Sequence, residues 1–523
     1  MTEAMRKGVP LYVRVSMLIA VGGMLFGLDT GTIGPVTAMS SFEASFGSFS
    51  ATIHGVIVSS ILIPAALSSL ITGNVADLYG RPRTIMFGAF VFGVGAAIEA
   101  AANNLGAFIA GRVITGVGEG FFLSVLVVYV CEISPAKRRG PLASLPQFGT
   151  TIGIAAGYFI SYGTSRIPSS ASWRVPLAFQ SFMALSFAVF CTLIPPSPRW
   201  LLQKGRPKEA AQVLARLGVP AAELEESLHS GGSGSGSDDD DVPEASAGDD
   251  GKPSLGDNIR ASFREISKAF APGVRKRTFL GCFMMGMQQF SGIDGVLYYA
   301  PLLFTQAGLS SEQASFLASG VSALVIFGAT IPATLFSDHW GRRPSTIYGG
   351  LGLAGTMVLI GSLYASNSVH GDHGAARWVV IVAIYVFAII FSGSWAIAFK
   401  VYASEIQPPQ TRASASSLAQ SSNWFANFVV ALTTPVFLAR SSYGVYFFFG
   451  ACSLFTAAVC FVAMPETRGH TLESIDASFD HHSWRVSKKR APGSPAVGSE
   501  TNSVVMQTVS PTKQGDVPPA VVG

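Results

Sequence analysis

The sequence predicts an all-α polytopic membrane protein, with twelve transmembrane helices in two six-helix bundles related by pseudo-two-fold symmetry. Three observations carry this. Of 523 residues, 49% are hydrophobic and only 13% charged, about half the charged share of a soluble globular protein. Twelve apolar runs occur, each close to the ~20 residues that a helix needs to cross a bilayer. The first six runs and the last six carry matching motifs in the same order. The scarcity of charge excludes a soluble multidomain enzyme, a disordered chain and a nucleic-acid binder.

The apolar runs fall at about 14–38, 53–74, 84–102, 107–131, 145–164 and 174–194, then at 279–304, 313–337, 346–366, 378–403, 414–438 and 443–464. They are called spans 1 to 12. The expected division is an N-terminal segment 1–13, an N-terminal bundle 14–194, a polar loop 195–278, a C-terminal bundle 279–464 and a tail 465–523. The first run, from Leu11 past Gly34, is too long for the hydrophobic part of a cleavable signal. Within the loop, 207–217 and 257–270 have the apolar spacing of short amphipathic helices. Between them lie a Gly/Ser run from Gly231 to Ser237 and four aspartates, Asp238 to Asp241. That composition cannot bury a core and is expected to be disordered. The tail beyond about Asp480 is rich in Ser, Pro and Val, with a basic cluster at Lys488, Lys489 and Arg490, and is expected to be mostly disordered. Five widely spaced cysteines (Cys131, Cys191, Cys282, Cys452 and Cys460) imply neither a disulfide framework nor a metal site.

Orientation follows from Lys and Arg. Alternate connections carry Arg81 and Arg83, then Lys137, Arg138 and Arg139, then Arg342 and Arg343, and the central loop adds Arg199, Lys204, Arg206, Lys208, Arg275, Lys276 and Arg277. The opposite connections carry little more than Arg166, Arg377 and Arg440. The positive-inside rule then predicts that both termini and the central loop are cytoplasmic.

The two halves repeat each other. Gly27-Leu-Asp29 returns as Gly292-Ile-Asp294, and Asp77-x-x-Gly80-Arg81 as Asp338-x-x-Gly341-Arg342-Arg343. Glu132-Ile-Ser-Pro, with Arg139 seven residues on, returns as Glu405-Ile-Gln-Pro with Arg412 seven on. A looser echo links Pro198-Arg199 to Pro465-Glu-Thr-Arg468. Repeated bundles of this kind place a substrate site between the halves near the midplane and expose it to each side by rocking.

The chain resembles the sugar porter family of the major facilitator superfamily, in a form typical of fungi. The resemblance runs from about residue 20 to 475. It rests on Gly22-Gly-Met-Leu-Phe-Gly-Leu-Asp29, Arg112-x-x-x-Gly116-x-Gly118-x-Gly120 and Pro195-Pro-Ser-Pro-Arg199-Trp200. It rests too on Gln288-Gln-Phe-Ser-Gly-Ile-Asp294 with Tyr298 and Tyr299, and on Asn423-Trp424-x-x-Asn427. The resemblance implies that a carboxylate at Asp29 marks proton-coupled members and that Arg112 interacts with it. It also implies sugar contacts from Gln147, Gln288, Gln289 and Asn427, whose amides both donate and accept. Phe26, Tyr298, Tyr299 and Trp395 are candidates for ring faces and gates.

Ionisable groups within membrane spans are costly and usually functional. Protonation of Asp29 would release Arg112 and couple proton movement to a shape change, whereas a static pair would only specify packing. Glu119, two helical turns after Arg112, is either a second proton acceptor or a packed acid. At the predicted cytoplasmic span ends, Asp77, Arg81, Glu132, Arg139, Asp338, Arg342, Arg343, Glu405 and Arg412 form a candidate gate of ion pairs that break as the halves rock.

Two departures from the family pattern stand out. The family's span 7 asparagine is Asp294 here. The span 10 run Trp-Gly-Pro-x-Pro-Trp is Trp395-Ala-Ile-Ala-Phe-Lys400. Loss of both prolines predicts a straighter span 10. Lys400 needs a counter-charge, either from Asp294 or Glu405 or from the carboxylate of an acidic substrate.

The function expected is proton-coupled uptake of a monosaccharide or related polyol across the plasma membrane, by a monomer with no cofactor and no nucleic-acid partner. Import of a sugar acid or other organic acid, export of a metabolite, and sugar sensing without transport are the alternatives. No nucleophile–base set, phosphate loop or metal cluster points to an enzyme.

Overall fold

Runs this apolar fold as helices because a bilayer offers no water to backbone N–H and C=O groups, which must be satisfied within the segment. The computed structural model describes residues 9–135, 138–218, 264, 266–309, 312–370, 374–408 and 411–468. Spans 1 to 6 are Leu11–Ala38, Ala51–Tyr79, Arg81–Ala101, Leu105–Ile133, Leu145–Thr164 and Ala171–Cys191. Span 7 comprises Arg275–Gln289, Ile293–Tyr298 and Ala300–Gln306. Span 8 is Glu312–Trp340, span 9 Arg342–Ala365, span 10 Ala376–Gly393 with Trp395–Glu405, span 11 Arg412–Arg440 and span 12 Gly444–Ala463. Ten of the twelve are long and apolar enough to cross a membrane by length and composition. The other two are span 5, rich in Gly and Thr, and the segmented span 7.

Three spans are interrupted. Span 2 breaks at Ser60–Ile61, four residues before the carbonyl-displacing ring of Pro64. Span 7, expected as one run, breaks at Phe290–Gly292, where Gly292 takes φ +90°, and again at Tyr299 ahead of Pro301. A side chain at Gly292 would be strained in this conformation and would meet the Phe449 ring at 2.4 Å. The straighter span 10 is not found. It is broken at Ser394 (φ −131°, ψ −81°), whose hydroxyl donates to the Ile390 carbonyl at 2.6 Å. The Gly393–Ser394 pair is itself a sequence at which helices kink, so losing the prolines did not restore continuity.

Glycines set the helix seams. A Cβ at Gly27 would lie 2.0 Å from the Thr150 carbonyl oxygen, and one at Gly153 2.2 Å from that of Met24, so spans 1 and 5 touch backbone to backbone. Spans 3 and 4 do the same through Gly118, whose Cβ would lie 2.3 Å from the Phe92 nitrogen. Span 2 meets span 4 at Gly116, 2.2 Å from the Ile61 carbonyl. Small residues permit the approach from which packing between membrane helices gains most of its strength.

The end of the bundle bearing Arg81, Glu132, Arg342 and Glu405 is called the basic end. There the helix Pro207–Leu217 forms as its spacing predicts, burying Ala210, Leu214 and Leu217, with Leu217 packed in a cluster with Tyr12 and Val15. Gly218 closes it in the left-handed region. The expected disorder at 231–241, most of the helix expected at 257–270 and the tail beyond 468 lie outside the described residues.

At the opposite end the halves meet closely. A Cβ at Gly34 would lie 2.1 Å from the Tyr298 carbonyl oxygen, and one at Gly55 2.3 Å from that of Leu432. Tyr158 donates to the Leu297 carbonyl, and Phe26 meets Trp424 edge-on at 5.7 Å.

The Gly27 seam is testable by thermal unfolding in detergent. Gly27→Val is expected to destabilise by at least about 1–3 kcal/mol through overpacking. Gly163→Ala, where the added methyl meets nothing within 4 Å, should stay within about 0.5 kcal/mol of the parent.

Candidate functional site

Two polar assemblies lie within the bundle. The first is in the N-terminal half. Asp29 of span 1 and Arg112 of span 4 are 4% and 0% exposed, with Arg112 Nη1 2.6 Å from Asp29 Oδ1. Arg112 Nη2 donates to the Val58 carbonyl at 3.2 Å, just before the interruption in span 2. Gln180 of span 6 donates to the same Asp29 oxygen at 3.1 Å. Four spans thus converge on one ion pair, a charge-assisted and buried contact.

The pair has further acidic neighbours. Glu119 is 1% exposed, and its Oε2 has no hydrogen-bond partner among the described residues. Glu99 of span 3 is fully buried and 3.8 Å from Arg112. Glu99 and Gln180 escaped the sequence reading. A glutamate inside the apolar run of span 3 was signal enough for Glu99, whereas a single glutamine in span 6 carries no signal without the fold.

The second assembly lies in the C-terminal half, where spans 7, 10 and 11 meet. Asn423 of span 11 ties the span 7 amides together: its Nδ2 donates to the Met285 carbonyl at 2.8 Å and to Gln288 Oε1 at 3.0 Å, and Gln289 Nε2 donates to Asn423 Oδ1 at 3.1 Å. Gln288 Nε2 donates to the Trp395 carbonyl at 2.8 Å. One turn on, Asn427 donates to Asp294 Oδ2 at 2.6 Å and to the Tyr298 hydroxyl at 3.4 Å. The break in span 7 separates Gln288 and Gln289 from Asp294 while leaving all three beside span 11.

Lys400 does not bridge Asp294. Its Nζ donates to Gln147 Oε1 of span 5 at 3.1 Å, joining the two halves near the basic end, and the residue is exposed although it lies inside the bundle. Asp294 takes hydrogen bonds from Asn427 and Gln289 and feels the Lys400 charge only at longer range, and Glu405, the other candidate counter-charge, pairs with Arg342.

Among the rings, Phe26 reaches across to Trp424. Trp395 is fully buried, stacked on Phe399 at 4.7 Å and donating its indole N–H to the Thr346 carbonyl at 2.9 Å. It therefore packs span 10 on span 9 rather than facing the groove between the halves. Tyr299 is 1% exposed. It donates to the Ala431 carbonyl at 2.6 Å and meets His54 edge-on at 5.2 Å, so it closes the opposite end.

At the basic end the described ion pairs each join residues of one half. Arg81 reaches Asp77 at 2.7 Å and Glu132 at 3.1 Å, and Arg342 reaches Glu405 at 3.1 Å. Glu466 caps span 9 by accepting from the Arg342 and Arg343 N–H groups at 3.0 and 3.1 Å. Asp338, Arg139 and Arg412 lie on helices, and their side chains are outside the described residues.

The profile of the family described as "Sugar (and other) transporter" matches residues 15–479. The chain is 29% identical over 497 residues to the probable glucose transporter rco-3 of Neurospora crassa, covering 90% of this chain and 80% of that one. It is 30% identical over 482 residues to the high glucose sensor RGT2 of Saccharomyces cerevisiae, covering 89% of this chain and 60% of the sensor. Among solved structures, the proton:xylose symporter XylE of E. coli, bound to 6-bromo-6-deoxy-D-glucose, superimposes with a TM-score of 0.70 at 25% identity, over 90% of this chain and 99% of that one.

The amide cluster makes its own prediction. Asn423→Leu strands Gln288 Oε1 and removes one partner of Gln289 Nε2, so thermal unfolding should show a loss of about 1–3 kcal/mol. A midpoint equal to the parent's would show that these amides are satisfied without Asn423.

Proposed function

Since this chain belongs to the Sugar (and other) transporter family, we propose that it imports a monosaccharide or related polyol across the plasma membrane by alternating access, driven by a proton. The carrying observation is the buried Asp29–Arg112 pair, 2.6 Å apart, together with the buried amide cluster of the C-terminal half. In this reading the pair is the proton site, and Gln147, Gln288, Gln289, Asp294, Tyr298 and Asn427 form the sugar site. Glu119 belongs to the proton site's surroundings. The similarity to a proton:xylose symporter and to a probable glucose transporter supports the assignment.

The basic end is taken as cytoplasmic, by the Lys/Arg bias of its loops. Contacts at Gly34, Gly55 and Tyr299 then close the extracellular end in the conformation described. The paired acids and bases at the basic end hold the helix ends of each half together, so that each half rocks as a unit. Lys400 and Gln147 span the groove on that side, and a sugar hydroxyl donating to Gln147 would compete with the lysine for the same oxygen.

A second reading rests on Lys400. Its described hydrogen bond goes to a neutral amide and Asp294 acts on it only at longer range, so the carboxylate of a sugar acid would be its first direct ion-pair partner. The similarity to a glucose sensor supports a third reading, a receptor that binds sugar without carrying it.

Uptake in a cell lacking its own hexose carriers separates these readings, with hexoses, pentoses, polyols and uronic acids tested with and without a proton gradient. Neutral-sugar accumulation that falls at least about tenfold on collapse of the gradient, or in Asp29→Asn, is the expected result. Uronate uptake that survives Lys400→Trp would end the acidic-substrate reading. Binding without flux would favour the sensor.

A further inference from the structure

We propose that Glu99 is a standing counter-charge for Arg112, a positioning residue that takes over the guanidinium when a proton neutralises Asp29. One guanidinium nitrogen serves both acids: Arg112 Nη1 is 2.6 Å from Asp29 Oδ1 and 3.8 Å from Glu99 Oε2. Glu99 is fully buried. Its Oε1 accepts from the Thr115 hydroxyl at 2.6 Å, which anchors the carboxyl group. Its Oε2 has no hydrogen bond among the described residues and lies on the Arg112 side.

The two acids belong to different rigid helix pairs. Glu99 and Arg112 sit on spans 3 and 4, whose backbones are in contact: a Cβ at Gly111 would lie 2.9 Å from the Glu99 nitrogen, and one at Gly95 2.5 Å from the Thr115 nitrogen. That seam cannot slide without a clash, so the Glu99–Arg112 separation is set by the pair itself. Asp29 sits on span 1, fastened to span 5 through Gly27 and Gly153. When Asp29 loses its charge, Arg112 closes on Glu99 by side-chain rotation alone, and spans 1 and 5 lose their ionic hold on spans 3 and 4. Without Glu99 the same step would leave a buried cation with no ionised acid within ion-pair distance, which a bilayer penalises heavily.

The other titratable groups around the pair are Glu119 of span 4 and, across the groove, Tyr298 and Tyr299 of span 7. None of these is a cation, so Arg112 is the one positive charge described among three carboxyl groups. Span 6 contributes the neutral Gln180 and span 2 the Val58 carbonyl.

The counter-charge role is independent of transport, whereas the hand-over rests on the proton-coupled reading above. Two measurements on the full chain therefore test them separately. In detergent, thermal unfolding of Asp29→Asn and Glu99→Gln should show modest losses, because one acid still neutralises Arg112. The double variant should lose more than the sum, and adding Arg112→Met to it should recover the loss. Additive losses, or a double variant that Arg112→Met does not rescue, would overturn the counter-charge.

In cells, Glu99→Gln should shift the half-maximal pH of uptake towards acid by about one unit. Ionised Asp29 then holds Arg112 without competition, so protonating it takes a lower pH. Glu99→Asp should restore the parent profile. A profile that Glu99→Gln leaves in place would overturn the hand-over. Parent uptake indifferent to pH would instead count against proton coupling itself, and the unfolding cycle would still decide the role of Glu99.

Discussion

A guanidinium with no exposure to solvent, inside a bundle of apolar helices, constrains much of the N-terminal half. Arg112 gives up its hydration, and only hydrogen-bonded counter-charges return what burial removes. Span 1 supplies Asp29, span 3 Glu99 and span 2 the Val58 carbonyl, while Gln180 of span 6 holds Asp29 in place. Helices that supply atoms to one buried charge must keep a definite separation. The interruption in span 2 just beyond Val58 and the glycine seams of spans 1, 3, 4 and 5 are consistent with that demand.

The C-terminal half repeats the helix plan but not this chemistry. Asp294, the internal echo of Asp29, has the amides of Asn427 and Gln289 as its hydrogen-bond donors rather than an arginine. Around it the polar work is done by amides, with Asn423 serving Gln288 and Gln289 at once. An amide network tolerates burial because each group both donates and accepts, and it can exchange partners with sugar hydroxyls at little electrostatic cost. The two halves thus share a helix plan but not a chemistry, one built around an ion pair and the other around amides.

Span 10 shows how local chemistry can reach a similar shape by another route. Proline and glycine are absent from Trp395 to Lys400, yet the helix breaks at the Gly393–Ser394 pair, where the serine hydroxyl donates to the Ile390 carbonyl. The break lets Trp395 turn into the interface with span 9, where its indole N–H finds the Thr346 carbonyl. Lys400, five residues on, reaches the N-terminal half instead of Asp294. In the conformation described, a residue that first looked like half of an ion pair is a tether between halves.

The sequence alone determined the helical class, the twelve spans and the resemblance between halves, because apolar length and repeated charged motifs are properties of the chain read in order. It also marked Asp29 and Arg112, since a charge in an apolar run is conspicuous wherever the helices later pack. Only the tertiary structure decided partners. Whether Lys400 meets Asp294 or Gln147, whether Trp395 faces the groove or the core, and that Glu99 and Gln180 join the Arg112 site all depend on helix rotation and close approach. Those are set by glycine seams and helix breaks distributed over several spans. A hydrogen bond requires atoms within about 3 Å, and a difference that small arises from the packing of the whole bundle rather than from any one stretch of sequence.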